Sequence, residues 1–94
     1  MEKKCCICGE TFDGYGNNAE PIEKGTCCDC CNMFYVIPAR LIQQKEPEAN
    51  FANGKKDFTN IQLKLNDRNM YPLKAYMRFS VYANDEGEKV YVVF

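Results

Sequence analysis

Residues 25–34 read GTCCDCCNMF, with four cysteines inside five positions. Two overlapping C-x-x-C pairs are available there, Cys27 with Cys30 and Cys28 with Cys31. Upstream, residues 5–9 read CCICG, and Cys5 with Cys8 is the one pair with that gap. A C-x-x-C pair followed about twenty residues later by a second is a zinc pattern. Each pair holds two corners of a tetrahedron, and the loop between them returns the chain to the other two. Gly9 suits the first pair, because a positive φ there turns backbone N–H groups toward the sulfurs and favours thiolate over thiol. For the second pair, spacing leaves both choices open. Four-sulfur geometry also suits iron, the less favoured metal here.

The rest of the composition agrees with a metal. The chain has 94 residues and seven cysteines, all before residue 32. A domain this small often needs a staple beyond its hydrophobic core. No signal-peptide-like run opens the sequence and no stretch is long enough to span a bilayer, so a cytoplasmic protein with reduced thiols is expected. An odd number of crowded cysteines fits metal binding better than disulfides.

Charge and composition narrow the function classes. Twelve Lys and Arg stand against thirteen Asp and Glu, a formal charge of −1. Four thiolates and one divalent cation add −2 to that −1, giving −3. This is not the basic footprint of most nucleic-acid binders. The chain has no histidine, which removes histidine general bases, Cys-His dyads and the His-containing zinc sites of hydrolases and deaminases. Four cysteine ligands leave no open metal position for catalysis. A non-enzymatic protein is expected.

Along the chain, GYGNNAEPIEKG at 14–25 reads as turns around the metal. The stretch from Cys28 toward Ile37 reads as a helix start, where thiolates gain from free amides and the positive dipole end. Pro38 then interrupts, with Ile37 pushed toward an extended conformation and PARLIQQK forming a second helical segment. Residues 47–58 read as a polar linker. Beyond it, Ile61, Leu63 and Leu65 alternate, as do Ala75, Met77, Phe79, Val81 and Ala83, before the turn NDEGEK and a last strand VYVVF. The expected fold is a small metal-stapled α+β domain. It has a four-cysteine zinc knuckle with a short or kinked helix (1–46), followed by a two- to three-stranded antiparallel β-sheet (59–94) packed on it. Tyr76, Arg78 and Tyr82 share the strand face opposite the apolar one, and Tyr and Arg are favoured at interface hot spots. They are the candidate partner-binding residues, and an ordinary solvated face is the plainer reading of the same pattern.

Cys5-x-x-Cys8-Gly9, GYGNNA at 14–19, Pro21-Ile22, Gly25, the pair at 27–28, Cys31-Asn32 and VIPAR at 36–40 together resemble small zinc-ribbon or treble-clef-like proteins of phages and prophages. The resemblance spans roughly residues 4–44. In its recurrent CC-x-x-CN form the second pair maps to Cys28 and Cys31. The resemblance therefore implies one structural Zn²⁺ on Cys5, Cys8, Cys28 and Cys31. It also implies a protein acting in the bacterial host's cytoplasm by protein–protein contact, most specifically as an anti-CRISPR-like inhibitor of a type II effector. An acidic binder would be steered to the basic channels of such a nuclease. A nucleic-acid-binding or transcription-associated zinc protein is the alternative.

Overall fold

The structure, a computed structural model, describes residues 2–76 and 78–94. The cysteine-rich part opens with two small antiparallel ribbons. Strand β1 (Glu2–Lys4) pairs with β2 (Thr11–Asp13), and β3 (Asn17–Asn18) pairs with β4 (Thr26–Cys27). A helical run follows: α1 (Asp29–Cys31), a π-helical stretch (Asn32–Val36) and α2 (Ile37–Lys45). The interruption expected at Pro38 takes the form of this π turn, not a break. In an α-helix the Pro38 ring would press on the carbonyl of Phe34. In the wider turn the Ile37 N–H bonds to the Asn32 carbonyl, and the chain stays helical through the proline. Ile37 is accordingly helical (φ −61°, ψ −49°) and not extended as expected. Its neighbours Cys31, Tyr35, Val36 and Ala39 form the buried face.

The second part is a four-stranded sheet in the order β5-β8-β7-β6, from β5 (Asn50–Asn53), β6 (Tyr71–Ala75), β7 (Phe79–Ala83) and β8 (Lys89–Val93). Strands β6, β7 and β8 are antiparallel neighbours, while β5 runs parallel to β8. Between β5 and β6 lies α3 (Gly54–Asp67). Three expectations are corrected here. The supposed linker 47–58 holds β5 and the start of α3. The alternating Ile61, Leu63 and Leu65 are helical, and the sheet has four strands, one of them parallel.

Helix wins over strand at 61–65 because Ile61 and Leu65 are also one helical turn apart. Leu65 is buried and Ile61 partly so, while Leu63 is left 57% exposed. Capping reinforces the choice. Asn53 caps the start of α3 through its side-chain oxygen. A kink at Asp57 (φ −152°, ψ 68°) is then capped again, with Asp57 Oδ1 accepting from the Asn60 N–H at 3.4 Å. Gly54 lets α3 begin against the sheet, since a Cβ there would lie 2.3 Å from the Val93 carbonyl oxygen.

Alternation along the strands splits the core in two. Phe79, Val81, Tyr91 and Val93 face the cysteine-rich part and join Cys5, Ile7, Cys31, Tyr35 and Val36 in one cluster. The opposite face carries Val92 and the partly buried Val90 and Tyr82, covered by Leu65 and Met70. The apolar face does pack on the cysteine-rich half, as expected, but the other face is roofed by α3 and not open to solvent. Continuous alternation over 73–83 also fails. The chain reverses between β6 and β7, where the Tyr76 N–H bonds to the Phe79 carbonyl at 2.7 Å. Ala75, expected inside, is exposed, and Met77 lies outside the described residues.

Candidate metal centre

The first pair of cysteines sits at the tip of the β1–β2 ribbon. Cys5 N–H bonds to the Glu10 carbonyl at 2.8 Å and Gly9 N–H to the Cys5 carbonyl at 3.0 Å. That tight reversal requires the left-handed conformation which Gly9 adopts (φ +81°). It points the N–H groups of Ile7 and Cys8 at Cys5 Sγ, each at 3.4 Å. The second pair sits at the start of the helical run. Cys28 is the N-cap of α1, its Sγ accepting from the Cys31 N–H at 3.5 Å. A hydrogen bond from Cys6 N–H to the Thr26 carbonyl, 3.0 Å, ties the two sites together.

As a result the sulfurs of Cys5, Cys8, Cys28 and Cys31 all lie within 4.8 Å of one another, with Cys8 and Cys28 Sγ 4.0 Å apart. Four sulfurs each about 2.3 Å from a tetrahedral zinc are about 3.8 Å from one another. A disulfide would need about 2.05 Å, and all seven cysteines are free thiols. The donor set therefore suits a four-coordinate, thiophilic cation. Cys5 and Cys31 are buried and Cys8 and Cys28 half-buried, so such an ion would be largely screened from water.

Electrostatics point the same way. Burial raises the Cys5 thiol, but the backbone N–H groups of Cys8, Cys28 and Ile7 outweigh it and bring the pKa to about 6. Cys31 is pushed up by burial first and then by the neighbouring sulfurs, and Cys8 is pushed up by burial. Burial thus works against the thiolate form at Cys8 and Cys31. A bound divalent ion reverses that logic by stabilising every thiolate at once.

The choice that spacing left open falls to Cys28 and Cys31. Residues 28 and 31 are the N-cap and the last residue of one helical turn, so their sulfurs meet. Cys27 ends β4 with its side chain in the core, fully buried and raised to about 11 by burial and then by its cysteine neighbours. Cys30 is exposed. Cys6 is half-buried and pushed up by burial and then by the negative charge of Cys5. In the GYGNNA loop, Asn17 Nδ2 donates to Asp29 Oδ1 at 2.8 Å, Ala19 is buried in the cluster with Cys5 and Cys31, and Tyr15 is 93% exposed.

Asn53 escaped the sequence reading. It is buried, and its side-chain amide donates to the carbonyls of Cys6 and Ile7 at 3.2 and 3.1 Å. Its oxygen accepts from the Lys55 N–H at 3.1 Å. One side chain thus clamps the knuckle backbone and caps α3. Its signal was the Asn-Gly step, which is a turn marker and equally an N-cap ahead of a helix. Lys55 follows, its Nζ 5.0 Å from the Tyr35 ring centroid. Its pKa is raised, first by the Tyr35 hydroxyl.

The candidate partner residues divide. Tyr76 and Arg78 line a surface groove of about 610 Å³ with Met33, Phe34 and Leu41, between the helical run and β7. The Arg78 guanidinium lies 4.2 Å from the Phe34 ring centroid. Tyr82 is on the far face of the sheet under α3, so the three do not share one surface. In the acidic turn, Glu88 is engaged by Arg68 and Asn84, leaving Asp85 and Glu86 exposed. Among the described residues no helix is long and apolar enough to cross a membrane. No protein-family model matches the chain, and neither do curated proteins or solved structures.

Proposed function

We propose that the chain is a zinc-stapled, non-enzymatic interaction module, and most specifically an inhibitor that binds a host defence nuclease of the type II CRISPR class. One observation supports the interaction reading above the others. The helix that begins at Cys28 and Cys31 presents, one turn later, the apolar wall of a groove whose other wall carries Tyr76 and Arg78. Aromatic and arginine side chains around an apolar floor are the composition of binding hot spots. Zinc, in the treble-clef-like arrangement of a knuckle and a helix N-terminus, would hold that wall rigid. Four thiolates saturate the ion, so it would serve structure and not turnover.

The nuclease reading rests on the resemblance over residues 4–44 and on charge. With four thiolates and one divalent cation added to a formal −1, the zinc-loaded chain stands at −3. Such a chain is attracted to the basic channels that guide RNA and target DNA occupy. The test is DNA cleavage by a purified type II effector with the zinc-loaded chain added. Stoichiometric loss of cleavage is expected, weakened by Tyr76→Ala or Arg78→Ala with zinc content unchanged. Full cleavage at excess protein would remove the nuclease reading. Direct binding to the guide or target alone would favour a nucleic-acid-binding protein instead.

A further inference from the structure

Along the outer side of the helical run, Asp29, Met33, Ile37, Leu41 and Lys45 recur at every fourth residue, and all five are exposed. Met33, Ile37 and Leu41 are 63%, 46% and 57% exposed. Residues four apart share a helix face, so the three form one apolar stripe, about 24 Å from end to end with its charged termini. An unbroken apolar stripe on a surface helix marks a contact. Its ends tell what covers it. Asp29 closes the N-terminal end and Lys45 the C-terminal end. Among the described residues neither has an ion-pair partner.

The other charges beside the stripe have contacts of their own, Arg78 on the Phe34 ring. Arg40 donates to the carbonyls of Glu20 and Asn18, and Glu46 is held by Lys89 and the Tyr91 hydroxyl. Asn17 fixes the Asp29 carboxylate in place while leaving it further acceptor sites.

Such a stripe is complementary to itself when turned end for end. A two-fold axis at Ile37 sets Ile37 against Ile37 of a second copy, Met33 against Leu41, and Asp29 against Lys45, twice. We propose that the protein forms an antiparallel homodimer through this stripe, its two helical runs related by that two-fold axis. Met33 and Leu41 belong both to the stripe and to the groove, so self-association and partner binding at the groove compete for the same side chains. This inference goes beyond the nuclease reading and does not depend on it.

Sedimentation equilibrium of the full, zinc-loaded chain tests it. The wild type is expected to show the mass of two chains, and Leu41→Gln, remote from the cysteines, the mass of one. Asp29→Lys and Lys45→Asp put like charges at both ends of a homodimer, and each should weaken self-association about tenfold. Mixed together, the two variants pair opposite charges at both ends, and the heterodimer should regain wild-type affinity. Zinc content and far-UV circular dichroism establish that each variant is folded. If Asp29→Lys loses zinc, Asp29→Asn replaces it, and about threefold weakening is then expected. A wild-type protein of single-chain mass at every concentration overturns the proposal. So does a dimer unaffected by Leu41→Gln, or a mixture that binds no more tightly than its separate components.

Discussion

The two parts of the molecule hold themselves together by different means. In residues 2–45 the strands are short, two or three residues each, and the centre of the packing is a group of sulfurs. In residues 50–94 the strands and the helix bury aliphatic and aromatic side chains on both sides of a sheet. With a metal bound, the first part would concentrate its stability in four side chains, whereas the second spreads it over many. Loss of one sulfur should therefore be catastrophic locally, while loss of one methyl group in the sheet should be graded.

The largest effect is expected from the sulfurs. Cys28→Ser or Cys31→Ser should abolish stoichiometric zinc and unfold the cysteine-rich part, because structural zinc contributes about 10–16 kcal/mol in small domains. Cys30→Ser and Cys27→Ser should keep the metal, and metal analysis beside circular dichroism distinguishes the four. Zinc retained by Cys31→Ser would break the contrast at its root. Acid should act like a ligand mutation. Thiol protons must leave when metal binds, so affinity rises with pH. In the metal-free protein, the lowered Cys5 thiol contributes stability above its unfolded value near 9, and that contribution fades as pH falls through about 6. Zinc release followed by a chromogenic chelator from pH 8 to pH 5 should accordingly accelerate toward the acid end.

Next in size is the core between α3 and the sheet. Leu65→Ala should cost about 2–4 kcal/mol in urea unfolding, with zinc still bound at the same stoichiometry. Metal loss in parallel with the sheet would mean that the two parts melt as one unit.

Asn53 joins the two and sharpens the contrast further. Asn53→Ala removes a helix cap and leaves the Cys6 and Ile7 carbonyls without their donor, a cost of about 1–3 kcal/mol. Zinc affinity should fall as well. Asn53→Asp keeps the cap acceptor but loses the donor, so it should preserve α3 while still loosening the knuckle. Equal zinc affinity in Asn53→Asp and wild type would show that the clamp does not reach the metal. Smallest of all is Lys89→Ala. The Lys89–Glu46 bridge, 3.0 Å long, ties the end of α2 to β8 with both side chains about two-fifths exposed. Its loss should change stability by less than about 1 kcal/mol.

What was legible follows the same division. Residue type and a three-residue gap are local, so Cys5, Cys8 and Gly9 could be read directly. The overlap at 27–31 could not, because the deciding fact is where β4 ends and the helix begins. Strands β7 and β8 were legible because Phe79, Val81 and Ala83, and the valines beside Tyr91, have one period only. Ile61-x-Leu63-x-Leu65 satisfies two periods. What selects the helical one lies at a distance, in the Asn53 cap and in the space that Gly54 leaves beside Val93. The reversal at Tyr76–Phe79 carries no Gly, Pro or Asn to announce it. Pro72 was a usable sign of an edge strand, and β6 is indeed the outer strand of the sheet.

Strand β8 lies between β5 and β7, yet it follows both of them in sequence, while every cysteine precedes residue 32. During synthesis, the four sulfurs leave the ribosome long before the strand that completes the sheet. For that interval all four sulfurs are already out, but Ile7, Tyr35 and Val36 have no Val93 or Tyr91 to cover them. The growing protein thus passes through a stage with a complete set of sulfurs and a bare apolar flank. Its yield in the cell should depend on how quickly β8 follows.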